Sequence, residues 1–127
     1  MMSGLIEARL LQAVVRLRQA RRALEVGTFT GPGALAMDEA LAPGGSVTTL
    51  EADPDNASPA RAHIAAHPLG ERVSSIVGDA RQLLSELAGP ALEDGDPVGA
   101  FNDVIQTDAR VENALLTIGD GVLLVWP

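Results

Sequence analysis

Between residues 23 and 80, three short stretches rich in apolar and β-branched residues each run into a glycine or aspartate and then into a segment of helical character. The first is Ala23-Leu24-Glu25-Val26, followed by Gly27, a loop to Gly33 and a helical turn over Ala34-Leu35-Ala36-Met37. Pro43-Gly44-Gly45 stops that helix, and the β-branched run Val47-Thr48-Thr49-Leu50-Glu51 begins the second unit. Asp53-Pro54-Asp55 can cap a helix running through Ala60 to His67, which Pro68 and Gly70 end. Val73 to Val77 is the third strand, and Asp79 can cap a helix over residues 80–88. Upstream, Leu5, Ile6, Leu10, Val14 and Leu17 recur at helical spacing between arginines, which predicts a leading amphipathic helix from residue 5 to about residue 22. Downstream, a Gly/Pro/acidic stretch over residues 89–99 precedes a fourth strand at 101–107, a short helix at 110–118 and an uninterrupted apolar fifth strand at 122–126. Strands alternating with helices at this spacing pair in parallel through right-handed crossovers, so the expected fold is an α/β, open, doubly wound, mostly parallel five-stranded sheet with helices on both faces.

Composition narrows the chemistry. The 127 residues correspond to one domain, 1–127, with 46% hydrophobic and 20% charged residues, a balance that folds around a core. The net charge of -8 repels nucleic acid and anionic lipid, and with Phe29, Phe101 and Trp126 as the aromatic residues there is no stacking platform for single strands. All nine basic residues are arginines, which removes Schiff-base catalysis and the phosphate-loop lysine. Without cysteine there is no disulfide, thiolate nucleophile or cysteine-bound metal. Arg9, Arg16 and Arg18 interrupt the apolar residues of the N-terminal segment, so neither a secretory signal nor a membrane span is expected and the compartment is cytoplasmic. Asn56-Ala57-Ser58 matches a glycosylation triplet by chance. No Gly-x-Ser-x-Gly elbow supports hydrolase chemistry. His63 and His67 share a helix face at metal-site spacing, but Ile64 stands where a zincin carries its glutamate, and a solvated helix surface accounts for both. Glu93, Asp94 and Asp96 read as a solvated acidic loop.

In sheets of this kind ligands bind beyond the carboxyl ends of the strands. Gly27, Gly31 and Gly33 follow the first strand, but Phe29 occupies the place of the second glycine of a dinucleotide fingerprint, so an NAD-linked reductase is a poor match. The loop is either a plain strand-to-helix turn or one that admits a bulky ligand near the backbone. Glu51 ends the second strand twenty residues past Gly31, the spacing at which a carboxylate meets a ribose diol; otherwise it is a solvated strand end. Asp79 can accept from an exocyclic amine or cap the next helix, and Asp108 follows the fourth strand, where it too can act as a cap.

The run Ala20-Arg21-Arg22-Ala23-Leu24-Glu25-Val26-Gly27-Thr28-Phe29-Thr30-Gly31, followed by Ala34-Leu35-Ala36-Met37, Thr49-Leu50-Glu51-Ala52-Asp53-Pro54 and Val77-Gly78-Asp79-Ala80, resembles the bacterial catechol and caffeoyl-CoA type of S-adenosylmethionine-dependent O-methyltransferase. The resemblance is close over residues 9–88 and looser beyond. It implies the Rossmann-like methyltransferase fold without its last two strands, and a chain truncated at both ends. It also implies S-adenosylmethionine as cofactor, with Gly27 and Gly31 at the methionine half, Glu51 on the ribose, and Asp79 and Ala80 at the adenine. Glu25, Thr28, Gly33, Ala52 and Asp108 complete the implied cofactor set. Pro32-Gly33 stand where family members carry Tyr-Ser, and Thr107-Asp108-Ala109-Arg110 stands where they carry the Asp-Ala-Asp that begins a Mg²⁺ site. Asp108 is therefore the implied catalytic and metal-side carboxylate of an incomplete site, since the sequence ends at Trp126-Pro127, before the family's Asp-Asn ligands. The implied reaction is methyl transfer to a small hydroxylated, catechol-like acceptor; the alternative is a non-catalytic nucleoside-binding or protein-interaction module on the same fold. The apolar strand 122–126, left as a sheet edge, is expected to drive homo-oligomer formation.

Overall fold

Three parallel strands organise the N-terminal half of the chain. In the computed structural model, which describes residues 4–80, 82, 107, 109, 112–116 and 122–126, β1 (Arg22–Val26), β2 (Ser46–Glu51) and β3 (Val73–Val77) pair in the order β1-β2-β3. Ala23 lies opposite Val47, Glu25 opposite Thr49, and Glu51 opposite Val77. Because strand side chains alternate between faces, this register puts Ala23, Glu25, Val47, Thr49 and Glu51 on one face. Val47, Thr49 and Glu51 are buried there, whereas Leu24, Val26 and Ile76 on the opposite face are exposed.

α1 (Leu5–Leu17) and α2 (Pro32–Asp38) pack together, and α2 also packs on the sheet. Val15, Ala34, Met37, Ala40, Leu41 and Val47 form a shared core, with Leu11, Ala20, Ala23 and Val73 packed around it. α1 is shorter than its periodicity predicts. Its C-terminal turn closes at Gln19, whose φ of 49° reverses the chain, and Ala20 then accepts from Ala42 N so that β1 can start. The apolar stripe also differs from the expectation. Leu5, Ile6 and Leu17 are largely exposed, while Gln12 is buried with its Nε2 donating to Glu39 Oε2 at 2.7 Å and its Oε1 accepting from Arg9 Nη1.

Gly31, at φ 88°, stands at the N-cap of α2, and Pro32 fills the first position, where its missing N–H costs nothing. The helix ends at Asp38, before Pro43-Gly44-Gly45, because Ala42 N bonds to Ala20 O while Asp38 O accepts from Leu41 N and Arg72 Nη2. α3 (Pro54–Ala66) begins where the sequence places its cap: Asp53 accepts from Asp55 N at 2.8 Å. A 3-10 turn (Gly70–Arg72) leads into β3 and carries Arg72 to Asp38. Asp38 is fully buried, Arg72 Nε lies 3.0 Å from its Oδ1, and Oδ2 has no donor among the described residues.

The chain divides into two compact units, Met1–Ala80 and Arg81–Pro127. In the second, β4 (Glu112–Leu116) and β5 (Val122–Trp126) form an antiparallel two-stranded sheet, with Glu112 opposite Trp126. This corrects two expectations. Residues 112–116 are strand rather than helix, and 122–126 pairs with them instead of standing unpaired as an edge of a five-stranded parallel sheet. The reason is chain length: five residues separate the strands, enough for a hairpin, whereas a parallel crossover needs about a dozen. The expected fourth strand at 101–107 lies outside the described residues except at Thr107, which is helical rather than strand. The helix expected at 80–88 is described only at Ala80 and Gln82, both helical. No helix among the described residues is long and apolar enough to cross a membrane.

The Asp38–Arg72 pair joins α2 to the approach of β3, so removing the guanidinium leaves a buried charge uncompensated. Arg72→Met is expected to lower unfolding free energy in urea by about 3 kcal/mol; a loss below about 1 kcal/mol would show that Asp38 does not depend on it.

Candidate functional site

The loops after β1, β2 and β3 meet at the carboxyl end of the sheet, and Glu51 joins all three. Its Oε2 accepts from Phe29 N at 2.8 Å, its Oε1 from Asp53 N at 3.1 Å, and its backbone carbonyl from Gly78 N at 2.9 Å. The carboxylate thus satisfies one amide in the glycine loop and one in its own loop, and each oxygen keeps acceptor capacity beyond that bond. Glu51 itself is buried.

The glycine loop is a tight, left-handed turn. Gly27 (φ 94°) and Gly31 (φ 88°) adopt backbone conformations that glycine reaches without a Cβ penalty, and a Cβ on Gly31 would stand 3.0 Å from Ile64 Cγ1. Gly27 N and Thr28 N both donate to Leu50 O, at 2.8 and 3.2 Å, which ties the loop to the end of β2. Phe29 also has positive φ, 47°, and its bond to Glu51 holds this non-glycine residue there.

Below the loop lies a second carboxyl group. Thr49 Oγ1 donates to Glu25 Oε2 at 2.6 Å and lies 2.7 Å from Thr28 Oγ1, a buried hydroxyl at the start of the loop. Glu25 Oε1 fills the space that a Cβ on Gly33 would need. Burial pushes the Glu25 carboxyl up to about 7, the Thr49 hydroxyl opposes that rise, and the nearby charges of Glu51 and Glu7 add to it.

The structure brings together most of the residues singled out from the sequence. Gly27, Thr28, Gly31, Glu51 and the exposed Ala52 border the loop ends, and Asp79 and Ala80 follow Gly78, whose amide binds the Glu51 backbone. Gly33 sits in the first turn of α2, against Glu25 rather than on the open side of the loop. Asp108 lies outside the described residues. Among the described residues no group of three acidic or histidine side chains could hold a metal ion. His63 is exposed, as a helix-surface residue should be, yet its Nδ1 donates to Thr30 O at 2.8 Å and buttresses the glycine loop. His67 Nδ1 accepts from Leu69 N, so it belongs to the turn after α3. Sequence reasoning missed Thr49 and the Phe29 amide. The signal for Thr49 was its position two residues before Glu51, on the same strand face.

A family model described as O-methyltransferase matches residues 1–97. The catechol O-methyltransferase of Mycobacterium tuberculosis is 37% identical over 95 residues, covering 75% of this chain and 39% of its own length. The Aspergillus thermomutatus O-methyltransferase ankF is 36% identical over 112 residues, covering 87% of this chain and 42% of its own. The chain therefore spans about two fifths of the length of the curated relatives it matches. Among solved structures, an O-methyltransferase from Bacillus cereus in complex with SAH superposes with a TM-score of 0.75 at 22% identity, over 98% of this chain and 81% of that one. TomG from Streptomyces achromogenes, in complex with SAM, gives 0.70 at 21% identity, over 98% of this chain and 80% of that one. Both show a shared fold.

The raised Glu25 carboxyl makes stability depend on pH. Its folded value, about 7, lies above the ordinary 4.5, so the folded state holds a proton that the unfolded chain has already released. This contribution is full below 4.5 and is lost as pH rises through 7. Glu25→Gln cannot ionise, so its melting temperature should gain on the wild type's between about pH 5 and pH 8. A difference that stays constant with pH would show that Glu25 titrates normally.

Proposed function

This chain belongs to the O-methyltransferase family, and from that premise we propose that it binds S-adenosylmethionine at the three loop ends and serves methyl transfer to a hydroxyl of a small, catechol-like acceptor. The observation that carries the reading is the Glu51 carboxylate, which closes the glycine loop yet keeps acceptor capacity on both oxygens for a ribose diol. The acceptor class follows from the names of the matching catechol O-methyltransferases.

The residues present fit this cofactor. Gly27 and Gly31, both at positive φ, carry no Cβ, so the methionine half can approach the backbone at these two positions. Glu51 would orient the ribose, with Ala52 beside it, and Asp79 with Ala80 would border the adenine. Glu25 and Glu51 give the crevice a negative potential that suits a sulfonium and an ammonium group. Bound there, the cofactor would supply an electrophilic methyl for the acceptor oxygen and become a neutral thioether, with the hydroxyl proton passing to solvent. The contribution of the chain is to hold that methyl in line with the acceptor oxygen, so catalysis is chiefly alignment. Asp108 is proposed as the metal-side carboxylate on the family resemblance alone.

Calorimetric titration with S-adenosylmethionine and S-adenosylhomocysteine tests the assignment. Both should bind, and Glu51→Ala should cost about 2 kcal/mol, roughly thirtyfold in Kd, with a circular dichroism spectrum like that of the wild type. Wild-type affinity in the folded variant would remove Glu51 from the site, and the absence of binding to either compound would reject the function.

A further inference from the structure

We propose that Thr49 couples the proton on Glu25 to Thr28, so that the glycine loop presents a hydroxyl acceptor and a nearby negative charge in one state and a hydroxyl donor in the other. This deepens the cofactor reading above and rests on it for the identity of the ligand.

The coupling follows from counting protons along three oxygens. A threonine hydroxyl has one hydrogen to give. Thr49 Oγ1 gives its hydrogen to Glu25 Oε2, so across the 2.7 Å contact Thr28 must be the donor and Thr49 the acceptor. With Glu25 ionised, every hydrogen in the chain points inward, from the loop toward the carboxylate. A proton taken up on Oε2, the carboxyl oxygen already bonded to Thr49, finds that hydroxyl as its acceptor, while Oε1 lies beside Gly33. Oε2 then donates to Thr49, Thr49 donates to Thr28, and the Thr28 hydroxyl is left with a hydrogen to offer within the loop. The reversal is a relay over buried groups, since Thr28 and Thr49 are almost wholly inaccessible. Low local dielectric strengthens each link and makes an unpaired one costly.

The surroundings keep the two states close in energy. The charged groups facing Glu25 are Glu51 on β2 and Glu7 on α1, both acidic, while α2 meets it with Gly33. Among the described residues no arginine pairs with it. The exchange therefore falls near neutrality. A ligand bearing a sulfonium favours the ionised, inward-pointing state and should expel the proton on binding; a neutral thioether should expel less.

Carbon-13 NMR of the ligand-free protein tests the relay by itself. The Glu25 side-chain carboxyl and the Thr28 Cβ should titrate with one midpoint in the wild type. Thr49→Val should abolish the Thr28 response while Glu25 still titrates. Thr28→Val, at the far end of the chain and a second test should Thr49→Val fold poorly, should shift the Glu25 midpoint upward. A Thr28 signal that ignores pH, one that still follows Glu25 in Thr49→Val, or an unmoved Glu25 midpoint in Thr28→Val would overturn the relay. Calorimetry near pH 7 in two buffers of different ionisation enthalpy then reads the link to the ligand. S-adenosylmethionine should release a proton from the wild type, more than S-adenosylhomocysteine does, and none from Glu25→Gln. Binding without proton exchange would overturn the coupling and leave the cofactor reading standing. An intact NMR relay with no binding of either compound would do the reverse.

Discussion

Two backbone amides, one in the glycine loop and one after β2, converge on the Glu51 carboxylate, and the arrangement of the strand ends follows from that convergence. A loop that turns on positive-φ glycines leaves backbone amides in need of acceptors, and a buried amide without a partner costs on the order of 1–3 kcal/mol. By accepting from Phe29 N, Glu51 supplies the partner and restrains a phenylalanine at φ 47°. The same residue receives Gly78 N at its backbone, so the loops after β1 and β3 are referenced to a single position on the central strand. A ligand reaching across the three ends would therefore meet a surface already set, which lowers the ordering cost of binding.

The two glutamates of the site sit on neighbouring strands and face the same way, yet their surroundings differ. Glu51 receives two amide hydrogens, one on each carboxylate oxygen, which fix its orientation between two loops. Glu25 receives one hydroxyl hydrogen, packs under α2 and feels the charge of Glu51, so burial holds its carboxyl near 7. Glu51 is placed to hold the loop backbone, and Glu25 to change charge near neutral pH. A cationic cofactor that becomes neutral after giving up its methyl would sense that difference.

Much of this was legible in the residues themselves. The alternation of β-branched runs with capped helices located all three parallel strands to within a residue, and Asp53 caps α3 as its position before Pro54 implies. Glu51 stood out by its distance from Gly31. What the sequence could not display was pairing between distant residues. That Glu25 would face Thr49 depends on the register of β1 on β2, and that Asp38 would find Arg72 depends on how the turn before β3 folds back, thirty-four positions later. Gln12 took a core position because Arg9 and Glu39 satisfy its amide, so the apolar stripe of α1 was a poor guide to its buried face. At residues 112–116 a helical reading lost to connection length, since five intervening residues permit only an antiparallel partner for the apolar run at 122–126.

A crystal structure of the protein grown with S-adenosylhomocysteine addresses the central claim most directly. The ribose O2′ and O3′ should lie within hydrogen-bond distance of the two Glu51 carboxylate oxygens, with the sulfur over the Gly27 to Gly31 turn. A ribose lodged away from Glu51, or a glycine loop closed over an empty crevice, would contradict the account.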